Sequence, residues 1–141
     1  EMCIRDSTSF DWAIYPEGLT EILVQLRERY GSALPLIIVT EGGAAFTETV
    51  TTDDSGQARV HDPRRIDYLA RHFQAVAAAR QAGVNVAGYY VWSLLDNFEW
   101  ADGETQRFGL IYTDFATAEK TRIPKDSYYW YRDLIAQVRQ Q

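Results

Sequence analysis

The sequence predicts an α/β fold built on a parallel sheet, and three observations carry that expectation. Residues 36–40 and 86–92 are continuous apolar, β-branched or aromatic runs, the pattern of strands buried on both faces. Amphipathic helical patterns fill the stretches before, between and after them. The resulting order is helix, strand, helix, strand, helix, the alternation that builds parallel sheets.

Each element follows from local chemistry. Between residues 9 and 30, Pro16 stands at a first helical turn, and Leu19, Ile22, Leu23, Leu26 and Tyr30 recur at helical spacing before Gly31 stops the helix. Pro35 then introduces the first strand, which ends at Thr40. Residues 42–60 are polar and read as loop. Asp62-Pro63 supplies a cap and first turn for a second helix, with Ile66, Leu69, Ala70, Phe73, Val76 and Ala77 on one face and Gly83 at its close. The second strand is followed by a long irregular segment, residues 93–113, and then by a final helix carrying Tyr128, Tyr131, Leu134, Ile135 and Val138. Two crossovers are too few to cover both faces of two parallel strands, so the pattern reads as a slice of a larger parallel structure.

Composition narrows the function classes. The 141 residues are 46% hydrophobic and 13% aromatic, the mixture of a globular protein with a real core. A formal charge of −6 argues against nucleic acid as partner. No apolar run is long enough to span a bilayer and the start is not signal-like, which gives the expectation of a cytoplasmic protein without a membrane partner. A single cysteine, Cys3, rules out an internal disulfide framework. The first seven residues, Glu1-Met2-Cys3-Ile4-Arg5-Asp6-Ser7, hold the only Met and Cys and read as a non-native adapter scar. Residues 8–141 are then expected to be part of one domain, with no repeat or linker dividing them.

The chemistry gathers after the strands. In parallel α/β structures, active sites form at the carboxyl ends of the strands. Glu41 follows the first strand directly, and Gly42-Gly43 let the chain turn sharply beside it. Position alone leaves two readings for this carboxylate, a catalytic group and a cap or rim salt bridge. After the second strand comes Trp92-Ser93-Leu94-Leu95-Asp96-Asn97-Phe98-Glu99-Trp100. Rings beside carboxylates and amides suit sugars, whose C–H faces pack on aromatics while their hydroxyls donate to carboxylates. An aromatic core with incidental acids is the blander account. Pairing Glu41 with Glu99 as the two carboxylates of a glycosidase is open on the residues alone.

These segments resemble glycoside hydrolase family 1, the β-glucosidase family. Val39-Thr40-Glu41-Gly42-Gly43 is similar to its nucleophile motif, and residues 92–100 with Arg107-Phe108-Gly109-Leu110-Ile111-Tyr112 to its glycone-binding segment. Trp12-Ala13-Ile14-Tyr15-Pro16-Glu17-Gly18-Leu19 and Pro124-Lys125-Asp126-Ser127-Tyr128-Tyr129-Trp130-Tyr131 extend the likeness over nearly all of residues 8–141, in order. The resemblance implies that the chain is the carboxy-terminal portion, about the last two β/α units, of a (β/α)8 TIM barrel. It implies a retaining β-glycosidase acting on a β-glucoside, β-galactoside or oligosaccharide by double displacement, without metal or organic cofactor.

On that resemblance Glu41 is the catalytic nucleophile, Glu99 accepts hydrogen bonds from hydroxyls around C4 and C6, and Trp100 donates its indole N–H to the glycone. Trp92 is the ring on which the sugar packs, and Phe108 lies beside the C6 end. Gly42 departs from the family, which most often has Asn there. The family's acid/base glutamate lies in an Asn-Glu-Pro motif that does not occur in this sequence, so the segment alone is expected to be inactive and poorly folded. Two other readings stand beside this one: a non-catalytic sugar-binding remnant using Trp92, Glu99 and Trp100, and a 6-phospho-β-glycosidase. The second is disfavoured because the Glu99 carboxylate would repel a substrate phosphate.

Overall fold

A computed structural model describes residues 6–140 of the chain. Helix α1 (Pro16–Tyr30) begins at its proline and ends where Gly31 takes a positive φ of 52°. A short 3-10 turn, Gly31–Ala33, leads into strand β1 (Ile37–Gly42). A hairpin follows, β2 (Val50–Thr52) and β3 (Ala58–Val60), and then helix α2 (Pro63–Gln81), closed by Gly83 at φ 89°. Strand β4 (Val86–Val91) runs parallel to β1, with Ile37 opposite Val86 and Gly42 opposite Val91. A second hairpin, β5 (Ile111–Thr113) and β6 (Arg122–Pro124), precedes helix α3 (Asp126–Val138).

The predicted alternation is present, with two additions and three corrections. The first hairpin lies inside residues 42–60, read as loop; of the second, β5 closes the irregular segment 93–113 and β6 lies beyond it, where the sequence predicts no element. In the first, Asp53 accepts hydrogen bonds from the Ser55 and Gln57 amides, and Gly56 adopts φ 84°. That turn chemistry joins strands of only three residues, too short for periodicity to reveal. The strand at residues 36–40 is not buried on both faces: Leu36 and Ile38 are exposed, and β1 reaches two residues further, to Gly42. Among the described residues its one partner is β4, whereas full burial of a parallel strand needs neighbours on both edges and helices on both faces. On α1, Ile22 and Tyr30 point to solvent, because α1 meets the rest of the chain through Leu19, Leu23 and Val24.

The third correction concerns Asp62, which makes no side-chain cap to its own helix. Its carboxylate instead accepts from the Ser127 amide at 2.9 Å and from the Ser127 hydroxyl at 2.5 Å, satisfying an orphan donor in the first turn of α3. The predicted cap therefore serves a neighbouring helix and ties α3 to the start of α2.

The core sits toward the amino ends of the two strands. Leu23, Ala79, Val84 and Val86 are buried there, with Leu34, Ile37 and Val76 around them. Burying a side chain of Leu or Val size stabilises by about 1.5–3 kcal/mol, so α1 and α2 are held at this end while the carboxyl ends of the strands remain free to carry polar groups. Of the first seven residues, positions 1–5 lie outside the described residues. Ser7 bridges Ala13, and the Asp6 carbonyl accepts from the Ile14 amide at 2.8 Å. No described helix is long and apolar enough to cross a membrane.

Candidate active site

Strand β1 delivers Glu41 as its penultimate residue, and β4 ends immediately before Trp92. The two ends are locked together, the Trp92 amide donating to the Gly42 carbonyl at 3.0 Å. Gly43 passes so close to the Trp92 carbonyl that a Cβ would collide with it. A Cβ at residue 42 would likewise meet the Tyr89 hydroxyl, which gives Gly42 a physical reason: the Tyr89 phenol occupies the space a larger side chain needs. Burial pushes the Tyr89 hydroxyl well above the usual phenol range.

The segment after β4 folds back on itself. Ser93 and Leu94 exchange backbone hydrogen bonds with Phe108, Leu110 and Ile111, and the Asp96 amide donates to Ile111 at 3.0 Å. This pairing sets Phe108 beside Trp92. Glu99 is held in a tight turn, its amide donating to the Gly103 carbonyl and its carbonyl accepting from the Gly103 amide, both at 2.7 Å. Gly103 closes the turn at φ 62°.

These pieces enclose an open cleft of about 250 Å³ lined by Trp12, Glu41, Gly42, Gly43, Trp92, Glu99 and Phe108. Four of the five residues expected from the sequence are thus brought together: Glu41, Trp92, Glu99 and Phe108. Trp100 is not among them and is 94% exposed. Trp12 is the addition. It stacks on Phe10 at 4.9 Å, and Phe10 in turn lies 5.7 Å from Phe108. Its position far upstream of Glu41 gave no spacing signal, and only the fold brings it into the wall. A larger groove of about 380 Å³ between α2, β4 and α3 is lined mostly by apolar residues such as Phe73, Val86 and Ile135 and by no carboxylate.

Beneath the cleft lies a chain of alternating buried charges that the sequence reading missed. Lys125 pairs with Glu48 at 2.5 Å and with Asp96 at 3.0 Å, all three side chains being 0–1% exposed. Arg65 pairs with Glu48 and with Asp62, and Arg107 pairs with Asp96. Burial pushes the Glu48 carboxyl up and the Lys125 ammonium down, while the opposite charges around each pull it back. A signal for Arg65 was present: it lies four residues before Leu69 and eight before Phe73, on the apolar stripe of α2.

Two carboxylates and a wall of rings are delivered to one cleft at the carboxyl ends of parallel strands, the chemistry that suits a sugar. Known proteins make this specific. A family model described as Glycosyl hydrolase family 1 matches residues 2–140, and the chain belongs to that family. It is similar to a β-glucosidase A of Thermotoga maritima, 48% identical over 128 residues. A bifunctional β-D-glucosidase/β-D-fucosidase of Bifidobacterium breve is 48% identical over 129 residues. A 6-phospho-β-galactosidase of Lacticaseibacillus rhamnosus is 40% identical over 129 residues. These alignments cover 91–92% of this chain but only 27% of each relative. Among solved structures, the family 1 β-glucosidase from Thermotoga maritima superposes with a TM-score of 0.85 at 44% identity, over 96% of this chain and 29% of that one. The same enzyme in complex with isofagomine lactam matches equally well.

Proposed function

We propose that the full-length protein is a retaining β-glycosidase of the β-glucosidase type, to which this chain contributes the last two β/α units of a (β/α)8 barrel. The observation that carries the reading is the placement of Glu41 at the end of β1 in one cleft with Trp12, Trp92, Glu99 and Phe108. In this mechanism a Glu41 oxygen attacks the anomeric carbon as the glycosidic C–O bond breaks, and the departing oxygen takes a proton from an acid supplied outside this chain. Water, deprotonated by that same group, then displaces Glu41 with a second inversion, so configuration is retained. No metal or organic cofactor enters these steps. Trp92 packs the sugar ring, Phe108 lies beside its C6 end and Glu99 accepts hydrogen bonds from its hydroxyls; Trp100, outside the cleft in this chain, is the N–H donor on the family resemblance alone.

The substrate class proposed is a β-glucoside, β-galactoside or oligosaccharide without phosphate. Relatives named as 6-phospho-β-galactosidases make the neighbouring specificity concrete. Glu99 argues against it here, because a cleft carboxylate repels a phosphate dianion. The test is kcat/KM of the full-length protein on an aryl β-glucoside and on its 6-phosphate, with the neutral sugar expected to win. Glu99→Ser is expected to raise KM and lower kcat on the neutral sugar, together about 2–4 kcal/mol of transition-state stabilisation, as for lost hydrogen bonds to a charged group. Preference for the phosphorylated substrate would refute the assignment.

The segment taken alone is expected not to turn over. Without a general acid the leaving group loses about 10²–10⁴ in rate even with the nucleophile in place. Expressing residues 8–141 and assaying an aryl β-glucoside checks this, and turnover that Glu41→Gln abolishes would count against it.

A further inference from the structure

Two halves of the cleft come from segments far apart in sequence: residues 41–48 carry Glu41, and residues 92–113 carry Trp92, Glu99 and Phe108. One side chain binds both. Arg65, 1% exposed at the start of α2, donates from Nη1 to the carbonyls of Ala44 and Phe108, the latter at 3.1 Å. From Nη2 it donates to the Glu48 carboxylate and to the Arg107 carbonyl, the latter at 2.7 Å, and from Nε to Asp62 at 2.9 Å. A guanidinium carries five N–H donors in a rigid fork, and here each finds an acceptor. Two of these acceptors belong to the Glu41 segment, two to the Glu99 segment and one to the cap of α3.

We propose that Arg65 is a positioning residue for the glycosidase reaction, a buried clamp that sets the Glu41 segment against the Glu99 segment. This rests on the roles given above to Glu41 and Glu99. The physical argument is one of donor count and rigidity. Ala44 lies three residues beyond Glu41, and Phe108 itself lines the cleft, so a planar group bonded to both backbones fixes one wall relative to the other. Lysine cannot substitute: its ammonium has three donors on a flexible stem, and two of the five acceptors would be left unpaired in a buried site. Because the fork bonds backbone carbonyls on both sides, its loss moves the walls relative to each other even when the fold survives.

The experiment is Arg65→Lys in the full-length protein, with kcat/KM measured on an aryl β-glucoside and on its 6-deoxy analogue in the same preparation. Their ratio is independent of how much protein is folded, so a merely structural role leaves it unchanged. The expected result is a loss of about tenfold to a hundredfold on the glucoside, the scale of a small misplacement of reacting groups. With it should come at least about a threefold fall in preference for the hydroxyl-bearing sugar, since Glu99 is displaced from its hydroxyl partner. An unchanged ratio, with activity lost only in proportion to the folded fraction, overturns the clamp. If Arg65→Lys does not accumulate, Glu48→Gln, which keeps the shape of the partner but removes its charge, is read the same way: a shifted ratio supports the clamp and an unshifted one overturns it. A separate Glu41→Ala variant distinguishes the two levels. If it is inactive while the ratio holds, the clamp alone fails; if it remains active, the glycosidase reading fails and the clamp's role falls with it.

Discussion

In the full-length protein, Glu41→Ala is expected to abolish turnover of an aryl β-glucoside, with kcat falling by about 10⁴–10⁶, the scale seen when a covalent nucleophile is removed. Alanine is smaller than the glutamate it replaces and leaves space at the anomeric carbon. Added azide or formate is expected to enter that space, restore part of the rate and give a product of inverted configuration. The reason is geometric. One displacement by an external anion inverts the anomeric centre, whereas the two displacements through Glu41 retain it. The product anomer, read by NMR, is therefore a sharper test than the rate. Activity near that of the unmodified protein, or a rescued product with retained configuration, would place the nucleophile elsewhere.

The second large effect is on stability. Lys125→Met is expected to destabilise the protein by about 3–5 kcal/mol, because it strips the shared cation from two buried carboxylates, Glu48 and Asp96, and leaves the buried network with one negative charge in excess. Arg65 and Arg107 stay paired to those acids but cannot move into the vacated place, since each is anchored by its own backbone carbonyls. Adding Glu48→Gln to Lys125→Met removes the excess negative charge, so the double variant is expected to recover part of the loss. A double-mutant cycle on the denaturant midpoints should then show a coupling energy of at least about 1 kcal/mol. A loss below about 1 kcal/mol for Lys125→Met, or strictly additive effects, would mean that the network contributes little.

Much of the local structure follows from residues whose conformational demands are met within a few positions of chain. Pro16 and Gly31 bound α1, and Gly83 closes α2, because a fixed φ or a positive φ is a property of the residue itself. The apolar runs of β1 and β4 and the placement of Glu41 and Trp92 at their ends follow from pattern and order alone. The short hairpins did not, since three residues carry too little pattern and their pairing depends on turns that polar residues form in many loops.

Pairing across distance was decided only in three dimensions. Asp62 has the chemistry of a cap, but which amide it satisfies depends on α3 arriving beside it. Arg65, Glu48, Lys125 and Asp96 are scattered over much of the chain, and all but Arg65 look like surface charges one by one; buried together, they are tolerable only because each finds an opposite partner. Trp12 enters the cleft and Trp100 stays outside it for the same reason. Motif order states which side chains carry the chemistry, but the direction in which each one points depends on the backbone that surrounds it, and long-range packing sets that backbone.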